Sequence, residues 1–191
     1  MRLIRNLLLV VLPLLSVSAC SQSKSKNIME TKNVLVVYFS ATGTTRNVAK
    51  QLADAAQADL CEIVPTEHYT SADLDWHDKH SRSSVEMNDE QARPAIEEIK
   101  VDISKYDTIF LGYPIWWNIA PRVVNTFIEM GDMTGKTVIP FATSGGSSIT
   151  GSVSALKKAY PALKWKEGRL LNRASKEEIK SWLNKIGISP L

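Results

Sequence analysis

The sequence predicts an α/β domain in which helices wind on both faces of a five-stranded parallel sheet of order 2-1-3-4-5. Three observations carry this. From Asn33 onward, short apolar runs rich in β-branched residues alternate with segments of helical period. The first crossover, strand to helix to strand, fits within about thirty residues, the span of a parallel βαβ unit. Three unusual turns, at 40–45, 114–118 and 143–148, each follow a predicted strand, and open sheets of this kind bind ligands beyond the carboxyl ends of their strands.

Residues 1–19 stand apart from this pattern and read as a signal peptide. Arg2 and Arg5 form a positive n-region, Leu7 to Val17 an apolar stretch, and Val17-Ser18-Ala19 a small-residue approach to Cys20. Residues 20–32 are polar and lysine-rich and read as a flexible tether. That leaves 33–191 as the domain. Val17-Ser18-Ala19-Cys20 resembles a bacterial lipobox. The resemblance implies cleavage before Cys20, lipidation of its thiol, and a protein held at a membrane surface in the bacterial cell envelope, facing the periplasm.

Composition narrows the class. The 191 residues are 44% apolar and 23% charged, with a formal net charge of +3. Removing the leader takes away Arg2 and Arg5 and leaves about +1. No basic stripe with interleaved aromatics is present, so nucleic acid is not an expected partner. Cys61 is the one cysteine besides Cys20. It sits in a predicted strand and reads as a small buried hydrophobe.

Taken in order, Val34 to Phe39 predicts the first strand, a continuous apolar run suited to a sheet interior. A helix from Thr44 to Gln57 follows, with Val48 and Leu52 at helical spacing, and then a strand from Leu60 to Val64 closed by Pro65. Residues 66–93 carry all three histidines, many charges and no clear period, and read as a surface insertion bordering a site. Its cluster Asp73, Asp75, His77, Asp78 and His80 matches no standard metal-ligand spacing and reads as a solvated loop. Pro94 opens a short helical stretch to about Lys100.

Asp107 to Tyr113 predicts the third strand. Pro121 then starts a helix that buries Val124, Phe127 and Ile128 and stops at Gly131. Thr137 to Ala142 predicts the fourth strand, followed by a helix with Ile149, Val153, Leu156 and Tyr160 in register. Lys164 to Leu171 predicts a polar edge strand. The last helix opens on the capping box Ser175-x-x-Glu178, carries Ile179, Trp182, Leu183 and Ile186 inward, and ends at Gly187.

Each unusual turn has a chemistry of its own. Ser40-Ala-Thr-Gly-Thr-Thr45 offers four hydroxyls and a glycine ahead of a helix start, a setting suited to a phosphate. It lacks the Gly-Lys-Ser/Thr ending of a Walker loop and the Gly-x-Gly-x-x-Gly dinucleotide fingerprint. Pro114-Ile-Trp-Trp-Asn118 puts adjacent tryptophans on a loop, which invites stacking by a flat ring. Thr143-Ser-Gly-Gly-Ser147 offers backbone that can approach a heteroaromatic edge. A molecule with a phosphate, a polyol chain and a large flat ring satisfies all three.

The pattern Ser40-x-Thr42-Gly43-x-Thr45 directly after a first strand resembles the phosphate loop of flavodoxins. Gly112-Tyr-Pro-Ile-Trp-Trp-Asn118 resembles the flavin loop of that family and of its quinone-reductase relatives, and Thr143-Ser-Gly-Gly-Ser147 resembles the third flavin loop. The resemblance spans nearly all of 33–188 and implies flavin mononucleotide (FMN) as cofactor. By this likeness Ser40, Thr42, Gly43, Thr44 and Thr45 hold the phosphate, with Arg46 adding charge. Pro114, Ile115, Trp116, Trp117 and Asn118 frame the isoalloxazine, one tryptophan stacking and the other packing. Thr143, Ser144, Gly145, Gly146 and Ser147 close the other edge. Tyr69 or Trp76 of the insertion borders the ring.

The expected function is an FMN-binding flavodoxin-like redox protein that transfers electrons in the cell envelope, to a partner protein or to a small acceptor such as a quinone. An FMN-dependent NAD(P)H:quinone-type reductase is the alternative within that class. A non-redox module holding another phosphate compound in the same crevice is the reading outside it. The usual carriers of the family are strongly acidic, which this chain is not. They also place a small residue beside flavin N5, where a peptide flip stabilises the one-electron form. The bulky Trp117 and Asn118 at that place imply two-electron exchange instead.

Overall fold

The computed structural model describes residues 33–188. The leader 1–19, the lipidation site Cys20 and the tether 20–32 lie outside the described residues. Among the described residues no helix is long and apolar enough to cross a membrane.

The elements follow in the order β1 (Val34–Tyr38), α1 (Thr44–Ala56), β2 (Asp59–Glu62), α2 (Arg82–Asn88), β3 (Thr108–Pro114), α3 (Arg122–Met130), β4 (Thr137–Thr143), α4 (Ile149–Ala159), β5 (Lys164–Trp165), β6 (Arg169–Leu170) and α5 (Lys176–Ile186). The sheet is parallel throughout, in the order β2-β1-β3-β4-β5 with β6 also on β4. This is the predicted doubly wound order. It makes β1, β3 and β4 neighbours, so their carboxyl ends meet along one rim.

The central strands are buried on both faces, which is why they read as unbroken apolar runs. Leu35, Val37, Ile109 and Leu111 pack on one side with α3 residues Val123, Val124 and Phe127. Val34, Val36, Phe110 and Phe141 pack on the other with Leu52 of α1 and Trp182 and Leu183 of α5. The Phe110 and Trp182 rings meet edge to face at 5.5 Å. Gly112 is required by this packing, since a Cβ there would sit 2.1 Å from the Phe141 ring. Cys61 is buried and free, as expected, and burial pushes its thiol up.

Three expectations are corrected. The edge strand over Lys164–Leu171 is broken into β5 and β6. Val138 O accepts from Lys166 N–H, so the next donor due on that side of β4 belongs to residue 140. Pro140 has none, and the ladder lapses there. The short helix over Pro94–Lys100 is absent. Ile96 instead pairs antiparallel with Pro65, flanked by bonds from Thr66 N–H to Ala95 O and Glu97 N–H to Val64 O. Pro121 is the N-cap residue of α3 rather than its first helical residue.

The insertion over 66–93 is more firmly held than its composition implies. Ser81 caps α2. The guanidinium of Arg122, on α3, is buried and donates to the carbonyls of Glu86 and Met87. Arg82 pairs with Glu86 at 2.7 Å and lies over the Tyr69 ring, whose hydroxyl also donates to Glu86. The acidic cluster is occupied locally: Asp73 accepts from Thr70, Asp75 from His77 N–H and Asp78 from His80 N–H. Among the described residues no three His, Cys, Asp or Glu side chains gather as a metal site.

Candidate functional site

The three turns meet in one cleft of about 1000 Å³ at the carboxyl ends of β1, β3 and β4. From the first turn, Ser40, Thr42, Thr44 and Thr45 line it. From the second come Pro114, Ile115, Trp116 and Trp117, and from the third Thr143, Ser144 and Gly145. The volume is at the top of the roughly 300–1000 Å³ expected for a small-ligand pocket.

The turns are tied to one another directly. The Thr45 and Thr143 hydroxyls lie 2.8 Å apart, both buried. Ile115 N–H donates to Thr143 O, and Ser147 Oγ donates to Asn118 Oδ1 at 2.6 Å. The site is thus set by the sheet and cross-braced at its rim.

At the first turn, Gly43 adopts φ +88 and is the N-cap of α1, with no side chain to occupy the first helical N–H groups. No acidic residue sits in that first turn. Helical N–H groups without a side-chain cap, ringed by threonine hydroxyls, are a setting that suits an anion. The Gly43 N–H itself is taken by Ser40 Oγ. Arg46 does not line the cleft. Its guanidinium turns to Glu62 at 2.5 Å, and that carboxylate holds the guanidinium charged.

At the second turn the tryptophans separate. Trp116 packs edge to face on Phe39 at 5.6 Å and on Tyr69 at 5.3 Å. Trp117 is 43% exposed. Trp116 and Ile119 exchange both backbone hydrogen bonds, so residues 116–119 form a two-residue hairpin turn. Trp117 and Asn118, its central residues, take φ +46 and +65. That is the type I′ geometry, which asparagine tolerates and tryptophan does not favour. Backbone strain of this kind gathers at ligand sites.

At the third turn, Ser144 Oγ accepts from the N–H groups of Gly146 and Ser147. Gly145 lines the cleft, and Gly146 and Ser147 do not. A Cβ at Gly145 would meet nothing within 4 Å, and its φ is not left-handed. The fold itself does not demand glycine there, whereas a close ligand would.

Sequence reasoning missed several lining residues. Asn172 and Arg173 follow β6. Asn172 clamps the Ser144 peptide, accepting from its N–H at 2.6 Å and donating to its carbonyl at 2.7 Å. The signal for Asn172 and Arg173 is positional: they lie at the carboxyl end of the predicted edge strand, as the other three loops lie at the ends of theirs. Leu74 and Ser83 reach the cleft from the insertion. Of the two aromatics expected to border the ring, Trp76 lines the cleft and Tyr69 packs behind Trp116. Ser83 Oγ is buried with no hydrogen-bond partner.

The flavodoxin family model matches residues 33–186. The chain belongs to the flavodoxin family. This flavodoxin-family domain is 58% identical to a candidate flavoprotein from Bacteroides eggerthii, over 82% of this chain and 99% of that one, with a TM-score of 0.80. A second candidate flavoprotein, from Bacteroides uniformis, is 56% identical over 80% and 97% of the two chains, at a TM-score of 0.78. A flavoprotein from Lactobacillus acidophilus, crystallised in complex with FMN, shares the fold at 22% identity and a TM-score of 0.63, over 79% and 98%. None of the curated proteins matches the chain.

The residues of this flavodoxin-family site fit FMN, the cofactor of the family. An uncapped helix start with hydroxyls suits a phosphate, an exposed tryptophan suits a planar ring, and the unexplained Gly145 suits close backbone approach.

Proposed function

We propose that the protein is an FMN-dependent redox protein of the bacterial cell envelope, passing electrons to a partner protein or to a small acceptor of the quinone type. The observation that carries this is the convergence of three chemically distinct loops on one cleft. Thr42, Thr44, Thr45 and the first N–H groups of α1 would hold the phosphate. Trp117 would stack on the isoalloxazine while Trp116 packs behind it, and the Ser144–Gly145 backbone would meet the ring edge. FMN, when bound, supplies the electron transfer, and the protein tunes it through stacking, hydrogen bonding and exclusion of water.

The envelope address rests on the lipobox-like Val17-Ser18-Ala19-Cys20, whose acyl chains would tether the domain through residues 20–32 without a membrane span. The near-neutral charge of the mature chain supports a small acceptor over a partner docked on a strongly acidic surface.

The deciding experiment is the absorption spectrum and FMN titration of the purified protein. Stoichiometric uptake of FMN with a flavin spectrum is expected. Colourless protein that ignores added FMN would favour a non-redox module for another phosphate compound. Consumption of NAD(P)H only when a quinone is present would mark a reductase rather than a carrier.

A further inference from the structure

Two neighbouring helix starts at the rim of the sheet are finished differently. α1 and α5 both follow the carboxyl ends of parallel strands and pack together on one face, with Leu52 of α1 in the same cluster as Ile179, Trp182 and Leu183 of α5. The start of α5 is closed by Ser175 and Glu178, whose reciprocal hydrogen bonds complete a capping box. The start of α1 has no side-chain cap. Arg46, in the first turn of α1, brings no charge to the cleft, because it is paired with Glu62 at 2.5 Å and does not line it. A phosphate held there would meet hydroxyls and N–H groups but no cation from its own loop.

A cation stands instead on the approach to α5. Arg173, just ahead of the N-cap Ser175, is the one charged residue among those described as lining the cleft. It is exposed, and among the described residues it makes no hydrogen bond or ion pair. The chain beside it is fixed. Asn172 accepts from Ser144 N–H at 2.6 Å and donates to Ser144 O at 2.7 Å. Ser144 adjoins Thr143, whose hydroxyl lies 2.8 Å from that of Thr45 in the first turn of α1. Short contacts thus run from the start of α1, through the third loop, to the residue before Arg173. Resting on the flavin reading above, we propose that Arg173 is the cation of the phosphate end of the site, the role the sequence suggested for Arg46. Its guanidinium pairs with the phosphate of FMN. No carboxylate is among the described residues lining the cleft, so the ligand is the one counter-charge offered to it there.

The test is a fluorescence titration of the ligand-free protein with FMN and, separately, with riboflavin, which has the same ring and polyol chain but no phosphate. Arg173→Gln is expected to weaken FMN binding about fivefold, a modest loss because an exposed guanidinium is screened by water. Riboflavin affinity should stay within about twofold. Arg173→Lys keeps the charge without the planar fork and should fall between wild type and Arg173→Gln. Raising the salt concentration should narrow the gap between wild type and Arg173→Gln. The thermal midpoint of ligand-free Arg173→Gln should match wild type, since the side chain is exposed and unpaired among the described residues. Arg46→Gln should lower the ratio of FMN to riboflavin affinity by less than Arg173→Gln does. The proposal is overturned if Arg173→Gln weakens both flavins equally, if it leaves FMN affinity unchanged, or if Arg46→Gln lowers the ratio as much. Each of those results leaves the flavin reading standing. Uptake of neither flavin by wild type would overturn the flavin reading, and this assignment with it.

Discussion

The hydroxyls of Thr45 and Thr143, 98 residues apart in sequence, meet at 2.8 Å in the wall of the cleft and join the first helical turn of α1 to the end of β4. Both threonines are buried, so each hydroxyl depends on the other. Thr45→Val or Thr143→Val alone should destabilise the ligand-free protein by about 1–3 kcal/mol, because the remaining hydroxyl is left unpaired. The double variant should recover much of that loss. A urea-unfolding double-mutant cycle measures the coupling, and simple additivity would contradict the pairing.

Gly112 faces the Phe141 ring so closely that no side chain fits without movement. Gly112→Ala should cost roughly 1–3 kcal/mol by overpacking. Adding Phe141→Leu should restore part of it. Thermal unfolding of the three variants checks both statements.

The Trp116–Ile119 turn bears on redox behaviour. Rotating the peptide between Trp117 and Asn118 would convert type I′ to type II′ geometry and place Trp117 in a region open essentially to glycine. The flip is thus blocked by the side chain at 117. Potentiometric titration of the FMN-loaded protein should show the flavin passing between oxidised and fully reduced forms with little one-electron species. Trp117→Gly should raise that species, and should also stabilise the ligand-free fold by about 1 kcal/mol through relief of strain. A long-lived one-electron form in the wild type would refute the argument.

All five tyrosines resist ionisation. Burial, aided by the Glu62 carboxylate, pushes Tyr38 from 10.0 to about 12, and burial alone does the same to Tyr113. Burial with Asp59 and burial with Glu129 likewise carry Tyr106 and Tyr160 to about 12. Tyr69 is raised further, by burial and then Glu86. The folded state holds these protons more tightly than the unfolded one. Their contribution to stability is complete below pH 10 and is lost as pH rises through 12. An ultraviolet pH titration should show delayed phenolate formation, coinciding with alkaline unfolding.

If Cys20 carries the lipid, Cys20→Ser should release the protein from the membrane fraction of cells expressing the full chain and abolish incorporation of labelled fatty acid. Fractionation and autoradiography read both outcomes. Unchanged membrane association would remove the case for a lipid anchor.

Much of the fold was legible because its signals are local. The run Val34–Tyr38 is apolar on every residue, as a strand buried on both faces must be. Ser175-x-x-Glu178 announced the start of α5, and both of its reciprocal bonds are present. The misreadings came where a distant partner decided. Lys164–Leu171 looks like one strand until Pro140 on the neighbouring strand withholds a donor. Pro94–Lys100 looks helical until Pro65 offers an extended pairing.

By itself the sequence determined the alternation of strands and helices, the family, and the three loops that face one another, because hydrophobic period and turn chemistry are written within about ten residues of chain. Only the tertiary structure decided where individual side chains point. It turned Arg46 to Glu62, packed Trp116 on Phe39, left Trp117 exposed, and brought Ser83 and Asn172 to the cleft. Those outcomes depend on which surfaces the sheet brings together and on which polar groups find partners there. Contacts across the whole chain set both, and no local pattern encodes them.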